Sequence, residues 1–292
     1  VMVRRFLIFL FYCFLVFGIV TVFLVLLFPR DKFLGWASTY IGDKLPNVEL
    51  SIGDIKYVHP LKIRLYELVL SDARKRWEIP VDTVLMSVEP RLPVDHVSII
   101  GVVFGGDLSF DLVLTANDRL ELSRLQISDL RLAELNMLEQ AVGRQVDGIF
   151  SAEGRATVNY RRPNDVRFTG AMRVENFSTS LKRPVLEETD LRFDQVTSEV
   201  VFNGGVVDIT GGKASGPFLS GDFSGQVWGT IPLGSSRLDL RGKVVPKQAL
   251  IDKHPTLEGP LKAYLNRYMT NSIPYQVEGT IAEPLLNFEN FD

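Results

Sequence analysis

Residues 204–227 read GGVVDITGGKASGPFLSGDFSGQV, with seven glycines and one lysine in 24 positions. Such a run is either a loop that cradles phosphate or a set of strands with glycines at the bends. A phosphate loop needs G-x-x-x-x-G-K-[ST] between a strand and a helix, with backbone amides around the phosphates and a hydroxyl for the magnesium ion. Gly212-Lys213 offers the G-K pair, but Ala214 replaces the hydroxyl residue and Val207 stands where the first glycine belongs. A dinucleotide fingerprint fails as well, because Gly216, Gly221, Gly225 and Gly229 are spaced five, four and four. The last three have the spacing that packs membrane helices, yet Asp222, Ser224 and Gln226 lie between them. Two short strands remain, Val206 to Ile209 and Phe223 to Val227, with glycines as turns, bulges and bends. Gly211, Gly212, Gly216 and Gly221 are therefore expected at strand ends or bulges, and none should open a helix.

The same period-two signal recurs through the chain. Leu108, Phe110, Leu112 and Leu114 alternate with Ser109, Asp111 and Val113, and Leu238 and Leu240 alternate with Arg237, Asp239 and Arg241. Ala152, Ala156, Val158 and Tyr160 point one way while Glu153, Arg155 and Asn159 point the other. Alternation of this kind marks half-buried antiparallel strands. Gly105-Gly106-Asp107, Arg162-Pro163-Asn164-Asp165 and Asn203-Gly204-Gly205 supply turn chemistry between them. Two helical stretches interrupt the pattern. One carries Leu132, Leu135, Leu138, Ala141 and Val142 on a face, with Ser128 or Asp129 as caps. The other lies between Pro246 and Met269, with Leu257, Leu261, Tyr264, Leu265 and Tyr268 on a face. An internal echo links LYELVLSDAR (65–74) to LSRLQISDLR (122–131), both L-x-x-L-x-[LI]-S-D-x-R. It points to repeated addition of similar strands.

The N-terminal region has a different character. Phe6 to Phe28 holds 23 positions without a charge, long enough as a helix to cross a bilayer core of about 30 Å. A cleavable signal would have a shorter apolar core and a small-residue cleavage site. An uncleaved anchor over residues 1–30 is expected, with Arg4 and Arg5 favouring a cytoplasmic N-terminus and an exported bulk. Residues 31–46 read as an amphipathic juxtamembrane helix ended by Pro46. Trp36 and Tyr40 suit either the membrane interface or packing on the first strands. Two β segments follow, 47–146 with a terminal helix and 147–292 with a C-terminal helical insertion.

Charge and composition exclude several classes. The net charge is −3, and the five charged residues up to Lys32 carry +3, which leaves −6 beyond them. That opposes a nucleic-acid surface. The single cysteine, Cys13, lies in the apolar run, so the remainder has no disulfide framework and no thiolate ligands. His59, His96 and His254 are far apart and have no partner at i+4, and read as surface positions. Glu187-Glu188 reads as solvated charge beside a turn. No nucleophile elbow or Ser/His/Asp set is present. Catalytic, cofactor-binding and metal-binding sets are expected to be absent.

An anchor, a short interfacial helix and many alternating strands form a plan that resembles the AsmA-like superfamily of diderm envelope proteins. It is most similar to the type II secretion system protein N family. The stretches that carry the resemblance are LPNVELSIGDIKYVHPLKIRLYELVLSD (45–72), VVDITGGKASGPFLSGDFSGQVWGTIPL (206–233), LDLRGKVVP (238–246) and IPYQVEGTIAEPLLNF (273–288). The chain is far shorter than the bridge-forming AsmA-like proteins. The resemblance implies a mainly β protein with one transmembrane helix and an elongated, curved, groove-like antiparallel sheet with a few short helices. It implies a single-pass protein of the bacterial inner membrane with its bulk in the periplasm. It also implies an accessory or scaffold role in a type II secretion machine, with other platform subunits and inner-membrane lipids as partners. The alternative is a lipid-binding or lipid-transfer module that holds phospholipid on an apolar sheet face. Candidate lining residues for that face are Leu108, Phe110, Leu112, Val158, Phe168, Val174, Leu238 and Leu240, and an ordinary sandwich core is the competing reading for each. The membrane anchor is delimited by Phe6 and Phe28, with Trp36 and Tyr40 beyond it.

Overall fold

The structure is a computed structural model that describes residues 48–58, 62–72, 78–88, 96–115, 119–159, 162–230 and 232–288, with Lys32, Gly35 and Thr39. These last three are helical and lie within the predicted juxtamembrane helix. Phe6, Phe28, Trp36 and Tyr40, and with them the predicted anchor, lie outside the described residues. Among the described residues no helix is long and apolar enough to cross a membrane. The protein is mainly β and antiparallel, with few helices, and its chain divides into two compact units between Val102 and Val103.

The first unit carries β1 (Val48–Val58), β2 (Lys62–Asp72), β3 (Glu78–Val88) and β4 (His96–Val103), paired in chain order. Its core is Ile55, Leu65, Leu68 and Val81. Leu65 and Leu68 are three residues apart, so strict alternation would send them to opposite faces. Glu67, at φ 51°, absorbs the extra residue. The neighbouring strands take the same step, Ile52 to Ile55 in β1 and Val81 to Val84 in β3, so the register holds across all three.

The second unit holds β5 (Gly106–Thr115), β6 (Arg119–Arg131), β7 (Val146–Asn159), β8 (Arg162–Val185), β9 (Glu188–Asn203), β10 (Val206–Ser215), β11 (Leu219–Trp228), β12 (Arg237–Pro246), β13 (Ile273–Thr280) and β14 (Pro284–Phe288). Each pairs with the next. Helix α1 (Asn136–Val142) precedes β7, while α2 (Gln248–Lys253) and α3 (Glu258–Tyr268) lie between β12 and β13. In β6 the apolar residues Leu122, Leu125, Ile127 and Leu130 are spaced three, two and three. Register shifts against β7 fall at both three-residue steps, where Arg124 and Asp129 adopt φ 50° and 58°. The echoed L-x-x-L motif is thus a device that kinks a strand and keeps its leucines on one face. Ser128 and Asp129 belong to β6 and cap no helix. The helix they were expected to start follows a 3-10 turn, begins at Asn136, and its N-cap Leu135 makes no side-chain capping bond.

The glycine run forms β10 and β11, both longer than the predicted strands. Gly211, at φ 58°, and Gly212 lie at a bulge where the register against β9 and β11 slips. Gly216 follows the end of β10 and none of these glycines opens a helix. Gly221 departs from expectation. It sits inside β11 opposite Val244, where a side chain would press on the β12 backbone.

Contacts between distant strands show the second sheet coiling. β8 and the β13–β14 turn are five to six strands apart, roughly 25 Å in a flat sheet. Yet Lys182 Nζ donates to the Ala282 carbonyl at 3.1 Å. Twist accumulated over the intervening strands brings these corners together.

Candidate functional site

Antiparallel partners directly opposite each other share a face, so the register assigns the second sheet row by row. One row runs Leu125, Gly154, Gly170, Val200, Ile209, Gly225, Leu240, Val277 and Leu286. The next row on that face runs Leu112, Leu122, Ala156, Phe168, Phe202, Val207, Val227, Leu238, Gly279 and Pro284. Neither contains a side chain that can hydrogen-bond. The row between them on the opposite face includes Arg155, Thr169, Asp208, Gln226, Asp239 and Glu278. Its polar groups bond each other, as in Gln226 Nε2 to Asp208 Oδ1 at 2.6 Å. Val200 and Val201 show the contrast in consecutive residues, at 5% and 41% exposure.

All eight candidate lining residues fall on the apolar face. Leu112, Phe168 and Leu238 share one row, Leu240 lies in the next, and Val174 pairs with Phe150 and Val196 further along. Val158 opposes Leu120 and Val166, and Leu108 opposes Ile127. Phe110 stands at the irregular step between Ser109 and Asp111, on the side of Leu108 and Leu112. Every one of the eight is half-buried. The expectation missed Val200, Phe202, Val207, Val227 and Val277, which complete the rows. Plain alternation was the signal for them: Val200 with Phe202, Val207 with Ile209, Phe223 with Val227 and Tyr275 with Val277 keep one parity without a break.

The face is not bare throughout. Where β11, β12 and β13 carry Leu219, Val244 and Ile273, α2 and α3 cover it. Leu250, Leu257, Leu261 and Tyr264 form a buried cluster there with Leu186, and Ile273 and Leu250 are fully buried. Beyond this helical cap the two long rows stay half-exposed, apart from buried Val200 and Ala156. The closed end and the open rows are one continuous apolar surface. At the covered end Tyr275 donates its hydroxyl to the Asp222 carbonyl at 3.2 Å. Burial, with the Asp222 carboxylate adding to it, pushes this phenol up to about 12.

A polar cluster ties the cap to the sheet. Glu188, which begins β9, is buried rather than solvated, and His254 is half-buried rather than at the surface. Lys253 Nζ donates to Glu188 Oε2 at 2.8 Å, and His254 Nε2 lies 2.9 Å from Glu188 Oε1. Burial alone would raise the Glu188 carboxyl, but the bonds and charges of Lys253 and His254 outweigh it and hold it below its ordinary value. The folded state therefore binds this proton more weakly than the unfolded chain. Its stabilisation is complete above the unfolded value and is lost as pH falls through the lower folded one. Acid should loosen the cap in the wild type, while Glu188→Gln, weaker by about 1–3 kcal/mol at neutral pH, should lack that acid-dependent component. Guanidinium unfolding at stepped acidic pH measures this, and parallel acid profiles for the two proteins would count against it. No sequence signal pointed to this cluster, because its members are 65 and 66 residues apart.

His96 opens β4 at an exposed position, and His59 lies outside the described residues. Among the described residues no group of side chains could hold a metal ion. The site's chemistry is apolar contact framed by charge pairs. Compared with known proteins, the chain matches no family model, no curated protein and no solved structure.

Proposed function

We propose that this protein is a non-enzymatic module whose curved, groove-like β-sheet binds phospholipid acyl chains, anchored in the bacterial inner membrane with its bulk in the periplasm. The observation that carries this reading is the pair of apolar rows that cross nine or ten strands and remain half-exposed beyond the helical cap. Ten strands span roughly 45 Å across a sheet, so the rows form one long apolar strip whose side chains are half-buried rather than enclosed. Acyl chains fit such a track because they ask for no hydrogen bonds and follow its length. The charge-free run Phe6 to Phe28 supports a location where such chains are at hand.

A second reading, an accessory subunit of a type II secretion platform, draws on the sequence resemblance and on β14. Among the described residues this short strand pairs only with β13, and its Leu285 is 48% exposed. An open edge of this kind accepts a strand from a partner subunit. Co-purification with platform subunits that is lost on replacing Leu285 by proline would favour it.

Native mass spectrometry of the full chain, extracted in mild detergent, tests the lipid reading. Phospholipid should accompany the wild type, and Leu240→Asp or Phe202→Asp should reduce its occupancy about tenfold, since a carboxylate on an apolar track must be desolvated. Both variants should keep the far-ultraviolet dichroism of the parent. Lipid-free wild-type protein would sink the proposal.

A further inference from the structure

The C-terminal end of α3 carries a side chain that the fold does not use. Met269 N–H donates to the Asn266 carbonyl at 3.4 Å and Thr270 N–H to the Leu265 carbonyl at 3.1 Å, the paired bonds that close a helix end. This closure sets Met269 in the left-handed region, at φ 49°, a place that glycine fills by default. Its side chain is 95% exposed, so it adds no packing in return for that backbone. The two bonds hold the backbone on either side of it, and the thioether chain projects into solvent.

The residues before Met269 suit the same surroundings. Tyr268 is 42% exposed, and its ring leans on that of Tyr264, with centroids 4.8 Å apart. Tyr264 in turn belongs to the buried cluster of the cap. The Arg267 guanidinium lies 5.5 Å from the centre of the Tyr268 ring and makes no ion pair among the described residues. From Gly259 to Val277 the chain has 19 residues with no acidic side chain, in a protein of net charge −3. Lys262 is held by Glu258 at 2.5 Å, which leaves Arg267 as the cation at the tip.

An exposed thioether, an aromatic ring with a polar end and an unpaired guanidinium are groups that settle at a membrane–water boundary. The apolar pair enters the headgroup layer, and the guanidinium meets phosphate. A partner protein would ask for a broader patch, and Lys262, Ala263 and Asn266, also exposed on α3, offer it little apolar area.

We propose that the Arg267-Tyr268-Met269 end of α3 is a membrane-docking tip, which rests the helical cap on a bilayer surface carrying anionic headgroups. Two inserted side chains bind weakly alone, and an anchor in the same chain supplies the proximity that makes their contact persist. The tip thus rests on the membrane anchor of the preceding reading, but not on lipid held in the groove.

The full chain with Cys13→Ser and Asn271→Cys carries a fluorescent label at an exposed position beside the tip. It is placed in vesicles of phosphatidylethanolamine and phosphatidylglycerol at about 7:3. Quenching by lipid nitroxides near the headgroup should be about threefold that of the same label at Ser224, exposed on the polar face of β11. It should fall to the Ser224 level when phosphatidylcholine replaces phosphatidylglycerol, and in Arg267→Glu. Met269→Gly should lose it too, while thermal stability holds or rises, because glycine suits that backbone. Equal quenching at positions 271 and 224, or full quenching in Met269→Gly, overturns the tip. Flotation of the same vesicles scores the anchor. Protein that does not float refutes anchor and tip together, whereas floated protein with an unquenched label refutes the tip alone. Lipid-free native mass spectra would refute the groove reading and leave the quenching result standing.

Discussion

Leu261→Ala should cost about 3 kcal/mol, and the loss should appear first in the helical cap. Leu261 is 1% exposed and sits at the centre of the cluster formed by α2, α3 and the covered end of the sheet. Truncation removes its apolar contacts and leaves a cavity beneath α3. The helix cannot compensate by itself. It has eleven residues, its N-cap Leu257 makes no side-chain capping bond, and its C-cap Met269 is a non-glycine residue at φ 49°. Isolated helices of that length are marginal in water, so packing is what keeps α3 folded. Hydrogen exchange of residues 258–268 should lose roughly a hundredfold of its protection, while amides in β7 and β8 change little. A change confined to about threefold would show that the cap is held elsewhere.

Gly170→Val should be of similar size, about 3 kcal/mol, for a different reason. Gly154 and Gly170 are cross-strand partners in β7 and β8, and the Phe168 ring lies over them. A Cβ at Gly170 would press into the Glu153 carbonyl oxygen and stand 2.7 Å from Phe168 Cζ and 2.9 Å from the Gly154 Cα. The ring could swing away, but the carbonyl belongs to the ladder and cannot yield without parting the strands. The glycine pair makes the shallow place in the apolar face that the phenyl ring fills. Equilibrium denaturation should show the loss, with bound lipid reduced in parallel because Phe168 is displaced. A variant as stable as the parent would mean that the two strands do not approach as closely as the geometry requires.

The polarity of each strand was legible from alternation alone, because a face that meets the core selects apolar residues at every second position. The eight residues from Leu108 to Leu240 reached one face for that reason. Alternation could not carry a face past Arg124, Asp129 or Gly211, where one extra residue reverses the parity. The spacing of Leu122, Leu125, Ile127 and Leu130 contained that information once positive φ was assigned to the residue between. The cap was half legible. Its buried stripe, Leu257, Leu261 and Tyr264, follows helical spacing, but nothing local says which part of the sheet it covers. The Glu188, Lys253 and His254 cluster was illegible, since it depends on a hairpin tip meeting a helix end more than sixty residues later. Glu187-Glu188 beside a turn has the same sequence appearance whether solvated or clamped.

Site-specific photocrosslinking in intact membranes tests the central claim most directly. A photoreactive phenylalanine analogue at Phe202, on the apolar face of β9, is to be compared with the same group at adjacent Val201, which is 41% exposed on the polar face. Lipid capture by the apolar rows predicts phospholipid adducts at position 202 and none at position 201. Equal labelling at the two positions, or none at 202, would contradict it.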